Sequence, residues 1–165
     1  ENIYMLIKDA AGKSEGISLE DARFFSLLYL YAGNVDEGLA FLDKNGGVEN
    51  SIHGRLFKAR ALKDAAKYTD AIIEFQKILK TGDDPYVLKI SYINLGKIYF
   101  GQNLFQESLD QFVAASGIAE DLNCKIWIGK NYSAMGMAEK AKTIWNEVLS
   151  ADNENEEAKK LLGLL

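Results

Sequence analysis

Cysteine and proline are nearly absent from this chain of 165 residues, which contains one of each. The single cysteine, Cys124, excludes an intramolecular disulfide and a thiolate metal cluster. It also favours a reducing compartment such as the cytoplasm. Because proline interrupts helices, its scarcity suits an all-helical chain.

An excess of positive charge and a long apolar run are also missing. The chain has 19 basic and 24 acidic residues, a net charge of −5 and a pI near 5.0. This balance argues against general nucleic-acid binding, which needs a basic surface. No apolar run approaches the roughly 20 residues that span a bilayer, so we expect no membrane insertion of this segment. Because the chain begins at Glu1 without a methionine, we expect a processed or excised fragment, and a periplasmic location after loss of an upstream signal stays open.

Residues that could carry catalysis or hold a cofactor are scarce as well. His53 is the one histidine of the chain, and no cysteine or carboxylate lies at metal-ligand spacing from it. Gly46-Gly47 lacks the lysine and the preceding strand of a phosphate-binding loop. Asp83-Asp84 is better explained by a turn and a helix N-cap than by a catalytic carboxylate pair. We therefore predict a protein that is not an enzyme and needs no metal or cofactor.

The chain does contain a regular spacing of apolar and small residues, centred on residues 92–112. Its positions are Tyr92-x2-Leu95-Gly96-x2-Tyr99, then Ser108-x3-Phe112, with Ala115 one turn later. Residues three or four apart lie on one side of a helix, so the pattern predicts two amphipathic helices. Gly96 and Ser108 are small enough to let those helices approach closely, and the aromatic side chains fill the space around that contact.

The same spacing occurs four times. One further copy lies downstream, Lys125-x2-Ile128-Gly129-x2-Tyr132 with Ala141-x3-Trp145. Two copies lie upstream. The nearer one is Arg55-x2-Lys58-Ala59-x2-Leu62 with Ala71-x3-Phe75, and the other is Ala22-x2-Phe25-Ser26-x2-Tyr29 with Gly38-x3-Leu42. One helix pair cannot bury its apolar stripe alone, so the copies are expected to stack.

The repeated spacing resembles the tetratricopeptide repeat (TPR), a helix–turn–helix unit of about 34 residues. The resemblance covers residues 19–165 and implies an all-α fold, a right-handed α-solenoid of about four helix pairs with a C-terminal capping helix. We interpret residues 1–18 as an N-terminal helix, either a cap or the second helix of a truncated earlier repeat. The expected repeats are a divergent TPR at 19–51, then 52–88, 89–121 and 122–155, with the cap at 156–165.

Capping signals predict where several helices begin and end. Ser51 and Asp84-Pro85 are expected to start helices, since their side-chain oxygens can accept from the first turn and proline suits the first helical position. Asn153 is predicted to cap the last helix of the chain. Gly117 is predicted to end the helix that spans about residues 104–116.

The resemblance also implies a concave groove, lined by the first helix of each pair, in which extended peptides bind. Two columns of the aligned copies would face it: Leu27, Arg60, Lys97 and Lys130, and Phe24, Phe57, Asn94 and Trp127. We predict that Arg60, Lys97 and Lys130 pair with ligand carboxylates and that Phe57 and Trp127 hold apolar side chains. Asn94 and His53 complete the predicted partner-binding set. The alternative, compatible with the first, is that the bases are solvated and the aromatics pack against the next repeat.

We therefore expect a non-catalytic scaffold or adaptor that binds a protein or peptide partner, with an acidic and apolar segment as the favoured ligand. The carboxylate clamp of TPR co-chaperones is not expected, because only Asn94 falls on a matching position. The alternative function is a structural, self-associating module. Its homodimer would form through the apolar side chains of Ile3, Tyr4, Leu6 and Ile7.

Overall fold

The computed structural model describes residues 24, 28–29, 34–45 and 51–164. These residues form α-helices joined by turns, without a strand. The helices are α1 (Val35–Asn45), α2 (Ile52–Asp64), α3 (Tyr68–Thr81), α4 (Pro85–Gly101), α5 (Phe105–Ile118), α6 (Leu122–Ala134), α7 (Ala138–Ala151) and α8 (Glu156–Leu161). The expected all-α class is thereby confirmed, and the repeat boundaries stay predictions.

The chain divides into two compact units, Glu1–Gly82 and Asp83–Leu165. In the first unit, α2 and α3 form a helix hairpin and α1 packs against α2. In the second unit, α4 pairs with α5 and α6 with α7, α5 packs against α6, and α8 packs against α7. The N-terminal helix expected within residues 1–18, with the proposed dimer segment, lies outside the described residues.

Two of the predicted helix starts are confirmed. The Ser51 side chain accepts from the Gly54 backbone N–H at 3.4 Å at the start of α2. The Asp84 carboxylate accepts from Tyr86 N at 2.9 Å and from Val87 N at 3.3 Å, and Pro85 occupies the first turn of α4.

Two boundary predictions were wrong. Asn155, not Asn153, caps the last helix, and its Oδ1 accepts from Ala158 N at 3.0 Å. The reason is the preceding turn, in which the Asp152 carboxylate accepts from Glu154 N at 3.2 Å and delays the helix by two residues. Gly117 does not end α5, which continues through it to Ile118, because a glycine with ordinary helical geometry only weakens a helix.

The predicted close approach of small residues and aromatic rings is confirmed in both hairpins of the second unit. A Cβ atom placed on Gly96 would lie 2.7 Å from Cε2 of Phe112, and one on Gly129 would lie closer still to the Trp145 indole nitrogen. Both are contacts that real Cβ atoms do not make. In the first unit the equivalent Ala59 is fully buried. In both hairpins of the second unit, the backbone of the first helix therefore lies directly against an aromatic ring of the second.

Polar atoms at these contacts are satisfied differently in the two hairpins. The Ser108 hydroxyl donates to the Gly96 carbonyl oxygen at 2.8 Å and thereby ties α5 to α4. The Trp145 indole N–H donates to the Ile126 carbonyl oxygen at 3.3 Å and ties α7 to α6. Each bond gives a partner to a buried donor that would otherwise be unpaired.

The second unit has two apolar clusters. The first joins α5 and α6 and contains Leu109, Phe112, Ala115, Cys124 and Ile128. The second joins α6, α7 and α8 and contains Ile126, Ala141, Trp145, Val148 and Ala158. Since each cluster takes residues from consecutive hairpins, the core extends from one hairpin into the next.

We predict that Gly96→Ala destabilises the protein while Gly101→Ala does not. The new methyl group at residue 96 meets the fully buried Phe112 ring, so the free energy of unfolding should fall by about 1–3 kcal/mol. Gly101, in the same helix, has nothing within 4 Å of its added Cβ. Its replacement should be neutral or stabilising by up to about 1 kcal/mol. Urea unfolding followed by circular dichroism measures both, and equal midpoints would contradict the close approach.

We predict that the Cys124 thiol of the native protein is unreactive near neutral pH. Burial, with a further contribution from the Asp121 charge, raises the pKa of this thiol to about 11. The side chain is 1% exposed, and only the thiolate is the nucleophile. A colorimetric disulfide reagent should therefore modify the protein slowly at pH 8 and rapidly once urea unfolds it. Equal rates in both conditions would show that the packing of α5 against α6 does not cover the thiol.

Candidate partner-binding site

The strongest candidate site is built around Trp127 on α6. The Trp127 ring stacks on Phe112 of α5, with centroids 5.3 Å apart and an interplanar angle of 6°. Phe100 of α4 meets it edge-on, at 5.3 Å and 80°. Such aromatic pairs contribute about 0.5–1.5 kcal/mol beyond area burial. The predicted packing of an aromatic between consecutive repeats thus holds for Trp127, and the ring has a fixed position.

Two lysines lie over the same ring. Lys130, one helical turn after Trp127 on α6, places Nζ 4.5 Å from the ring centroid. Lys97 reaches the ring from α4, with Nζ 5.7 Å from the centroid. An ammonium group within about 6 Å is attracted by the negative face of the indole. Two of the three predicted bases, Lys97 and Lys130, are therefore brought together over the Trp127 ring.

One carboxylate completes the arrangement. Glu157 of α8 places Oε1 2.5 Å from Lys130 Nζ, and the two side chains are 50% and 24% exposed. Lys97 is exposed and forms no ion pair with a carboxylate of the described residues. We define the Trp127 cluster as Lys97, Trp127, Lys130 and Glu157. With two ammonium groups and one carboxylate, it carries one surplus positive charge on an acidic protein.

A second ion pair fixes the start of α6 relative to α4. Lys89 Nζ lies 3.0 Å from Asp121 Oδ2, and both side chains are at most one quarter exposed. Asp121 also caps α6 by accepting from Asn123 N at 2.8 Å. Burial raises the pKa of Asp121, but the hydrogen bonds from Lys89 and the Asn123 N–H outweigh it and hold that pKa below its usual value. The carboxylate is thus kept charged at the joint between the helices that carry Lys97 and Trp127.

Asn94 is buried on α4, and its amide nitrogen donates to the Ile90 carbonyl oxygen at 2.8 Å. Asn131, which is not in the predicted partner-binding set, is fully buried on α6 and donates in the same way to the Trp127 carbonyl oxygen at 2.8 Å. Its Oδ1 accepts no hydrogen bond from the described residues. Both amides thus bond within their own helix, and a direct role of Asn94 in binding stays a prediction.

The other predicted site residues lie on α2 of the first unit. His53 and Arg60 are exposed and Phe57 is half-buried. Their spacing places them along one side of α2. Their share in partner binding stays a prediction, as does that of the exposed Phe24, and Leu27 lies outside the described residues.

Among the residues that the structure describes, no group of three or more histidine, cysteine or acidic side chains is placed to hold a metal ion. No helix there has the length and apolar character to cross a bilayer.

Comparison with known proteins identifies the fold. No protein-family model matches the chain, and no curated protein sequence matches it significantly. Among solved structures, a double mutant of MamA from RS-1 superposes with a TM-score of 0.72 at 20% identity, over 88% of this chain and 82% of that one. MamA from AMB-1 superposes with a TM-score of 0.68 at 19% identity, over 90% and 87% of the two chains.

Identities this low show the fold and nothing more. MamA is a TPR protein, and its helix arrangement matches most of this chain. The close contacts at Gly96 and Gly129 are the ones that the repeated spacing predicts for TPR hairpins. The chain therefore has the all-α fold of tetratricopeptide-repeat proteins, built from consecutive helix hairpins.

Proposed function

We propose that this chain is a non-catalytic protein-interaction module whose second unit binds an acidic and apolar segment of a partner at the Trp127 cluster. The observation that carries the proposal is the surplus positive charge held over one indole ring by Lys97 and Lys130. Local positive charge on a protein of net charge −5 marks a site for a negatively charged group.

The cluster offers two kinds of contact to such a segment. A ligand carboxylate next to Lys97 would form a charge-assisted hydrogen bond, the stronger class of hydrogen bond. An adjacent apolar side chain would pack on the exposed parts of Trp127 and Phe100, the kind of aromatic anchor that dominates binding energy at interfaces. Because the stacked rings are already fixed, little ordering cost accompanies binding.

The TPR fold supports an interaction role in general, and the cluster supports this ligand in particular. The alternative, self-association through Ile3, Tyr4, Leu6 and Ile7, concerns residues outside the described part of the chain, and no observation in that part favours it.

Binding is testable with a short fluorescein-labelled peptide of alternating glutamate and leucine. We expect fluorescence anisotropy to show binding that weakens as salt rises, since exposed charges are screened. Lys97→Glu should weaken it roughly 5- to 30-fold, because it removes an attraction and adds a repulsion.

The matched control is Lys142→Glu, the same charge change on an exposed lysine of α7. It should leave the affinity within about twofold, because Lys142 pairs with Glu139 outside the cluster and exposed charges are screened. A glutamine–leucine peptide should bind much more weakly. Equal losses of affinity in Lys97→Glu and Lys142→Glu would reject the site. Arg60→Glu, measured in parallel, tests the predicted contribution of the first unit to binding.

A further inference from the structure

We infer that Glu157 is an internal competitor at the Trp127 cluster, whose carboxylate occupies Lys130 until an acidic ligand displaces it. This inference rests on the proposed function and adds the regulation of the same site. It assigns to α8 a role in setting which ligands the cluster accepts.

The position of Glu157 is fixed although α8 has only 6 residues. Ala158, the next residue, is fully buried in the cluster with Trp145 and Val148. Asn155 caps the helix through its bond to Ala158 N at 3.0 Å. The Glu157 backbone is therefore held on α7, with its carboxylate within bonding distance of Lys130.

The same ammonium group serves the ring and the acid. Lys130 Nζ lies 4.5 Å from the Trp127 centroid and 2.5 Å from Glu157 Oε1. A ligand carboxylate that approaches Lys130 over the ring thus meets an ammonium that already has a counter-ion. Half of the Glu157 side chain is exposed, so its carboxylate can rotate into solvent without burying a charge. An ion pair this exposed is weak enough for a ligand acid to replace it.

The two lysines are therefore unequal. Lys97 has no carboxylate partner among the described residues, so a ligand with one acid can bind there without displacing anything. A ligand with a second acid gains Lys130 only after Glu157 leaves it. Glu157 thereby reduces the gain in affinity that a second acidic side chain would give a ligand.

The test compares Glu157→Gln with Glu156→Gln, using the alternating glutamate–leucine peptide as the probe. Both variants lose one negative charge from the first turn of α8, but Glu156 is exposed and forms no ion pair among the described residues. We expect Glu157→Gln to tighten binding roughly two- to fivefold beyond the effect of Glu156→Gln, the range for an exposed pair. In a Lys130→Gln background this extra gain should vanish, since the group competed for is gone.

The possible results separate the two proposals. If the wild type and Glu156→Gln bind, Lys97→Glu weakens binding, and Glu157→Gln behaves like Glu156→Gln, the competitor role is overturned while the proposed function stands. An extra gain that persists in the Lys130→Gln background also overturns it, because the effect would then be general electrostatics. Binding seen only with Glu157→Gln supports the competitor role. If none of the variants binds the peptide, both proposals fail.

Discussion

The contact between Gly96 and the Phe112 ring is the constraint on which the candidate site depends. With no side chain at residue 96, the backbone of α4 lies against the ring of α5. The ring is fully buried there, and close packing restricts its movement. Trp127 stacks on Phe112, so the position of the indole depends on the contact between Gly96 and Phe112. The lysines then gather over an indole that packing has already placed.

The hairpins share this plan and differ in how they satisfy polar groups. At the position where α3 and α7 carry Ala71 and Ala141, α5 carries Ser108, and its hydroxyl bonds to the Gly96 carbonyl. In the α6–α7 hairpin the ring itself supplies the donor, through the Trp145 indole N–H. In each hairpin a buried donor of the second helix, the Ser108 hydroxyl or the Trp145 indole N–H, thus finds its partner in a carbonyl oxygen of the first helix.

Much of the fold could be predicted from the sequence because its determinants are local. Spacing within one hairpin is enough to pair Gly96 with Phe112 and Gly129 with Trp145, and capping chemistry is enough to start helices at Ser51 and Asp84. The end of the chain was harder because two asparagines compete there. The turn formed by Asp152 decides between them, and only coordinates show it.

Three of the four residues of the candidate site were predictable from the sequence, and their arrangement in space was not. Lys97, Lys130 and Trp127 were found by aligning copies, but their convergence on one ring depends on how consecutive hairpins pack, which spacing within a hairpin does not fix. Glu157 was not among the predicted site residues, since its partner Lys130 lies 27 positions earlier in the chain and no local spacing connects the two. Asn94 matched a groove position by alignment, yet it is buried and bonds to its own helix.

The stacking of Trp127 on Phe112, with the contact of Phe112 with Gly96, couples three sequence positions energetically. A larger residue at 96 requires a smaller ring at 112, and a smaller ring at 112 leaves the indole at 127 without support. The effects of substitutions at positions 96, 112 and 127 on stability are therefore expected to be non-additive, because the three residues share contacts.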